Sequence, residues 1–461
     1  MAYKSLYGRK PLERASKISH ANVINNPQVQ EFINQCVIPK PAEKSVISKL
    51  AQEVPAPTEP KVRAVVAVDG SYREVPVRDE FPSAAVTFFA FGPLLFRLEE
   101  LRKLDKQPFI APEDLARLKN IQRFSLVLPT RNVSRGGKSL TDSVRSTLHE
   151  FFITAHGGDK PLIDALRWVL FRGWTDKGEK SWEIPSCPNV GCNRSPVMLA
   201  PDAPDTQACT SCGGPIYMID ALRLHERIDD EQGAGGITSY VMTTLEQIVL
   251  AHVIKAVWEL KSAFLREILF IKDGPLAFFG QTSPLRKPMR ELAMFLGAQT
   301  DPSGGSSPVA LLNAVGLEKS GPFVEHAIQI GDKLDPGTVL LLPNDYIYKY
   351  IVPGDSKGSD PYGFNTYWGS KLIYKASDGN VYVATVPTHK FTPEPSYDDF
   401  LNLSDILAVL GELRCSMYDN ALIPVALANR LVSLSDFPSK RILEVFAREN
   451  IQRQSLEDLI G

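Results

Sequence analysis

Asp69 and Asp273 each close an apolar run and are each followed by glycine: Val65–Ser71 reads VVAVDGS and Leu269–Leu276 reads LFIKDGPL. An aspartate at the C-terminal end of a buried strand stands at the lip of a sheet, where ligands of α/β folds bind. The glycine after it permits a sharp turn and a close approach to the backbone. Carboxylates placed this way hold divalent cations, roughly 3.5–4 Å apart when there are two, that activate water and stabilise a leaving oxygen in phosphodiester hydrolysis. Either Asp-Gly alone reads first as a turn, and the pair is what suggests a site. A third acid is expected from the helical stretch ahead of the second strand, where Met242, Leu245, Val249, Val253, Ala256 and Leu260 recur at helical spacing. Glu246 lies beside this stripe, where a carboxylate is costly unless it meets a cation. Glu259 has Lys255 one turn earlier and reads as a solvated pair. Glu246 is therefore preferred, with Glu259 the alternative.

A second chemistry comes from cysteine. Cys187-x4-Cys192 and Cys209-x2-Cys212 are separated by sixteen residues, and Gly191, Gly213 and Gly214 suit the tight turns of metal knuckles. The pattern predicts a zinc ribbon in which four sulfurs surround one Zn²⁺, a closed and therefore structural site. Cys36 and Cys415 stand apart and read as ordinary buried thiols.

These residues need an α/β frame to position them. Dense β-branched or aromatic runs at Val62–Val68, Ala84–Phe91, Phe124–Leu128 and Ile268–Ile271 read as strands. Helical patterning spans Leu95–Leu104, residues 147–180 and Ser239–Phe264. Five segments follow: residues 1–60 as a polar arm with a proline-rich linker, 61–180 as the first part of the core, 181–219 as the zinc ribbon, 220–440 as the second part, and 441–461 as a helical tail. The ribbon interrupts the core and is expected to project from it.

The 461 residues suffice for a large core, and 51 basic side chains against 53 acidic ones give no global field for a polyanion. A nucleic-acid surface must be local, with Arg131, Arg135, Lys138, Arg286, Lys287 and Arg290 as candidates. No run of 18 apolar residues occurs and the opening segment lacks the apolar core of a secretory signal, so the expectation is a soluble, cytoplasmic protein without a membrane partner.

Three motifs together resemble the NurA family of nucleases: Val68-Asp69-Gly70-Ser71, Lys272-Asp273-Gly274-Pro275-Leu276 after a long helix, and Gly316-Leu317-Glu318-Lys319-Ser320. The resemblance spans most of residues 60–440. It implies a ribonuclease-H-like core with a mixed sheet flanked by helices, in which Asp69, Glu246 and Asp273 bind Mn²⁺ or Mg²⁺ and Lys319 neutralises phosphate charge. It also implies a 5′–3′ exonuclease and single-strand endonuclease acting on DNA, a homodimer docked on a hexameric HerA-type ATPase, in DNA end resection and repair or in antiviral defence. The family's C-terminal tyrosine and histidine are not matched. Asn429 stands for the histidine, Ala421 falls at the tyrosine, and Tyr418 lies three residues earlier. An asparagine amide does not titrate near neutrality, which leaves proton transfer or metal binding there open.

Two rival readings remain. One is a catalytically weak or inactive DNA-binding scaffold that regulates the ATPase, suggested by Asn429. The other is an actin-like nucleotide-handling enzyme, which requires a glycine-rich phosphate loop that Phe278-Phe279-Gly280-Gln281 does not supply.

Overall fold

The computed structural model describes residues 17–57, 61–78, 83–104, 123–157, 160–300, 308–354, 360–414, 422–434 and 439–460. Its strands in chain order are β1 (Ala51–Glu53), β2 (Ala64–Arg78), β3 (Ala84–Arg97), β4 (Phe124–Arg131), β5 (Trp182–Ile184), β6 (Val197–Leu199), β7 (Thr206–Ala208), β8 (Pro215–Tyr217), β9 (Ile268–Asp273), β10 (Gln299–Thr300), β11 (Pro308–Val309), β12 (Asn313–Glu318), β13 (Thr338–Leu341), β14 (Ser370–Lys375) and β15 (Val381–Val386). Nine of them form one mixed sheet in the order β1-β13-β14-β15-β12-β9-β2-β3-β4. Within it β2, β3 and β4 are successively antiparallel, β9 runs parallel to β2, and β12 runs parallel to β9. That order and direction make the α/β class expected from the sequence and the ribonuclease-H-like core that the resemblance implies. Antiparallel strands β15, β14, β13 and β1 widen the sheet beyond β12.

Alternation along the strands divides the core between the two faces. Val66, Val68 and Phe270 pack under the helices Leu140–Ile153, Leu162–Leu170, Thr238–Lys261 and Arg286–Gly297. Val65, Ala67, Leu269, Ile271, Val315 and Leu317 pack under Leu403–Glu412 and Ile423–Val432. The long helix Thr238–Lys261 buries Met242, Leu245 and Val249 and half-buries Val253 against the same cluster, but its last turn emerges and Leu260 is 79% exposed, so the apolar stripe leaves the core at its C-terminal end.

Four expectations change. The stretch expected as an arm contributes β1, which pairs with β13, and helix Lys44–Leu50, whose Ile47 is buried. Residues 95–97 belong to β3, because Ala64–Arg97 and Val65–Phe96 pairing carries the strand on before helix Leu98–Leu104 begins. The helical segment 147–180 is two helices parted at Thr154–Pro161, where Gly157 takes a positive φ of 64°. The cysteine-bearing insert does not project. Ile184, Val197, Leu199 and Ile216 of its two small hairpins, β5–β6 and β7–β8, belong to the same apolar cluster as the sheet and the long helix. The helical tail, Ser439–Ile460, lies on the outer half of β2 and β3, with Ala447 against Val75, Val77, Ala84 and Val86.

Candidate active site and four-cysteine centre

The last pair in the β2–β9 register is Val68 with Lys272, so Asp69 and Asp273 each stand one residue beyond it on neighbouring parallel strands, which lie about 4.8 Å apart. Leu317 pairs with Asp273 on the other side, and Lys319 follows two residues later with its Nζ 2.7 Å from Asp273 Oδ2. Asp69, Asp273 and Lys319 thus continue the series that packs beneath helix Ile423–Val432. Lys272 continues the opposite series, under the long helix, and there its Nζ lies 2.7 Å from Glu246 Oε2. Glu246 reaches the same strand ends from the other layer.

The glycines after both aspartates are required. Gly274 has φ 89°, a left-handed conformation in which a side chain is strained, and its N–H donates to Leu317 O at 2.6 Å. The turn it makes crosses over Gly316, where a Cβ would lie 2.6 Å from Gly274 O and from Leu276 N. At Gly70 a Cβ would lie 2.9 Å from Phe91 Cβ, which is fixed by its strand, as well as 2.3 Å from the flexible Cε of Met242.

Charge in this pocket of the structure is unbalanced. Asp69 is 3% exposed; burial foremost, then Asp273 and Glu246, push its carboxyl well above the ordinary range, while Lys319 and the Gly70 N–H pull the other way. Glu246 is likewise pushed up by burial, offset first by Lys272. Three carboxylates share two lysines. Asp69 Oδ1 accepts from Gly70 N, while Oδ2 is buried with no donor. A buried carboxylate oxygen facing further carboxylates is a place that favours a cation. The donor set is all oxygen, which suits Mg²⁺ or Mn²⁺ rather than a soft metal. Glu259, the alternative acid, lies at the surface between Lys255 (2.7 Å) and Lys160 (3.1 Å), away from the strand ends.

Lys272 and Gln247 were not assigned from the sequence. A lysine inside the apolar run LFIKDG was the available signal for the first, since an ionisable side chain on a buried strand needs a partner. Gln247 is fully buried beside Glu246; it donates to Pro275 O (3.2 Å) and Ala277 O (3.3 Å) and accepts from Trp368 Nε1 (3.1 Å), tying the turn after Asp273 to the long helix. Nothing local in the sequence announces that contact.

Asn429 is exposed on helix Ile423–Val432. The end of that helix is fastened near the site, because Ser71 donates to Val432 O and accepts from Leu434 N at 3.1 Å. Among the described residues no hydrogen bond joins Asn429 to the acids. Tyr418, Ala421 and Cys415 lie outside the described residues.

The basic candidates separate by their partners. Arg131 and Lys138 are exposed, and Arg135 is bound to Glu150 and Thr147. Lys287 is exposed. Arg286 holds Phe364 O and Asn365 Oδ1, each at 2.8 Å, and Arg290 packs over Phe391 at 3.8 Å, its guanidinium pushed down to about 10 by burial. These two arginines brace the 363–365 loop, a structural duty the sequence reading did not foresee.

At the second centre the ligand atoms of Cys187, Cys192, Cys209 and Cys212 all lie within 4.8 Å of one another, and no other group of three or more candidate ligands does so among the described residues. Cys192 Sγ and Cys209 Sγ are 3.9 Å apart, close to the roughly 3.8 Å edge of a tetrahedron with metal–sulfur bonds of about 2.3 Å. None of the four forms a disulfide. Backbone N–H groups of Cys212 and Ser211 lower the Cys209 thiol to about 6, while burial pushes the Cys187 thiol up to about 12. Cys36, expected to be buried, is exposed, with its thiol on Phe32 O.

Residues 63–258 match the family model described as the NurA domain. The match takes in Asp69, Glu246 and the cysteine-bearing stretch, and stops short of Asp273 and Lys319. Among solved structures, the chain is similar to the NurA nuclease from Sulfolobus solfataricus, at 10% identity over 95% of this chain and 98% of that one, with a TM-score of 0.35. No curated protein matches. No helix among the described residues is long and apolar enough to cross a membrane.

Proposed function

We propose that this chain is a metal-dependent deoxyribonuclease whose centre is Asp69, Asp273 and Glu246, with Lys319 beside them. The observation that carries the reading is the placement of two aspartates one residue beyond a shared register pair, one of them with a buried oxygen that lacks a donor. The NurA-domain match supports nuclease chemistry. Mn²⁺ or Mg²⁺ bound by these carboxylates supplies an activated water and neutralises the leaving oxygen. The chain's own residues do the rest. Asp69 and Asp273 are held by adjacent strands whose register allows no relative slip. Glu246, now 2.7 Å from Lys272 Nζ, would be the third acid available to hold the cation. Lys319 is 39% exposed at Nζ-bearing side-chain level and stands where it can turn from Asp273 to a phosphate oxygen, stabilising charge as the transition state forms. Asn429, on a helix packed against β2, is available to hold a phosphate or a water but not to transfer a proton.

The resemblance extends the proposal to 5′–3′ exonuclease and single-strand endonuclease action, by a homodimer working with a HerA-like ATPase in end processing or antiviral defence. Zn²⁺ in the four-cysteine centre is structural. End-labelled linear DNA incubated with Mn²⁺ tests the core of this: cleavage by the wild type, abolished in Asp69→Ala and Asp273→Ala, supports it. The exposed, non-titrating Asn429 favours a second reading, a quiet DNA-binding subunit that regulates the ATPase. DNA left intact under every condition, including with the ATPase added, selects that reading.

A further inference from the structure

Arg145 is 1% exposed on helix Leu140–Ile153, among the largest fully buried side chains of the chain. Its Nε and Nη2 donate to the two oxygens of Asp220 at 2.9 and 2.7 Å, Nη2 also donates to Pro215 O at 2.9 Å, and Nη1 donates to Asp142 at 2.9 Å. The remaining bond of Nη1, 3.2 Å long, goes to Asn189 Oδ1 inside the first cysteine knuckle. An arginine only donates, so the amide oxygen of Asn189 must face Arg145 and its NH₂ must face away. What it faces is sulfur: Nδ2 lies 3.4 Å from Cys187 Sγ and 3.6 Å from Cys212 Sγ, one from each knuckle. The fit is tight, since a Cβ on Gly214 would lie 2.7 Å from Asn189 Cγ and Nδ2.

A dication bound by four thiolates carries a net charge of −2, and N–H groups aimed at the sulfurs are what stabilise it in a partly buried setting. Backbone N–H groups of Ser211 and Asn189 serve Cys209 and Cys187. Asn189 adds a side-chain donor that spans both knuckles and is polarised from behind by a buried guanidinium.

We propose that Asn189 is an outer-sphere residue of the four-cysteine centre that couples metal binding to the buried Arg145–Asp220 pair, so that metal occupancy and the docking of helix Leu140–Ile153 on the ribbon rise and fall together. This rests on reading the cysteines as a metal centre. It concerns metal affinity and local order, and neither depends on nuclease activity.

The test uses the full chain. Bound zinc is measured on the purified wild type, Zn²⁺ affinity by competition with a chromophoric chelator, and ligand identity from the thiolate-to-metal absorption after Co²⁺ substitution. Asn189→Leu removes both sets of bonds while keeping the branched shape of the side chain, and Gly214→Ala pushes the amide aside without touching the ion pair, keeping the test available if the first variant misfolds. The expected result is a loss of Zn²⁺ affinity of about 10–100-fold in both, the effect typical of outer-sphere partners, with the four-thiolate cobalt spectrum retained. Zinc should slow amide exchange in helix Leu140–Ile153 of the wild type, and do so weakly in the variants. Unchanged affinity and unchanged exchange overturn the coupling. A wild type that binds neither zinc nor cobalt overturns the metal-centre reading beneath it.

Discussion

Neutralising Asp69 should stabilise the protein while abolishing the proposed activity. Its carboxyl is held above the ordinary 3.8 by burial and by Asp273 and Glu246. Folding therefore carries a cost that is absent below about pH 3.8 and grows as pH rises from there, because the unfolded chain ionises first. Asp69→Asn should melt a few degrees above the wild type at pH 7 without divalent metal, and the gap should close at pH 4 or on adding Mn²⁺; thermal scans across pH check this, and a variant less stable than the wild type at pH 7 would sink it. His326 shows the opposite dependence. It is buried, bonded to Tyr346 Oη at 2.8 Å, and lowered from 6.5 to about 4 by desolvation. Stability present above pH 6.5 should be lost as pH falls toward 4, by up to about 3 kcal/mol, and His326→Gln should flatten that slope in denaturant titrations. At this scale the sequence identified Asp69, Asp273, Glu246 and the four cysteines as candidates, because strand-end acids, an acid beside an apolar stripe and knuckle spacing are local signals. Lys272, Gln247 and Arg145 were missed because their duties exist only opposite partners 26 to 121 residues away in the chain.

Among elements, the turn that follows Asp273 decides where that carboxylate points. It is pinned from below by Gly316 and from the side by Gln247. Gly316→Ala sets a Cβ against backbone that has no room to move, so Asp273 should be displaced and cleavage should fall at least tenfold, read beside a melting curve. Gln247→Leu strands Ala277 O and the Trp368 indole N–H, at about 1–3 kcal/mol each, while Pro275 O keeps its bond from Ala277 N. Its expected loss, on the order of 2 kcal/mol or more, is measurable by chemical denaturation; a loss under about 1 kcal/mol would show that the turn does not depend on this side chain. Strand cores were legible in the sequence as β-branched runs. Their full lengths were not, since the outer half of β2 pairs only with β3 and carries polar residues such as Arg73 and Glu74. The three residues of β1 have no strand signature, and only β13 makes them a strand.

For the whole molecule, the consequential finding is that the cysteine-bearing insert is part of the main core. Its apolar residues share one cluster with the sheet, and the buried Arg145 ties it down by donating to Asn189 Oδ1 and Pro215 O. Excising residues 185–216 should therefore abolish soluble, cooperatively folding protein, whereas a projecting module would leave the remainder intact; circular dichroism and denaturation of the deletion variant distinguish the two. What the sequence determined by itself were features encoded over a few residues: the α/β class, the two Asp-Gly strand ends, the acid-bearing helix and the paired cysteine knuckles. The tertiary structure alone decided that β9 lies parallel to β2 in a register placing Asp69 level with Asp273, that Glu246 approaches from the opposite layer, and that the insert is built in. The physical reason is that register, layer and docking are set by burying apolar faces against partners distant in the chain, and periodicity in one segment shows which face is apolar without showing what covers it.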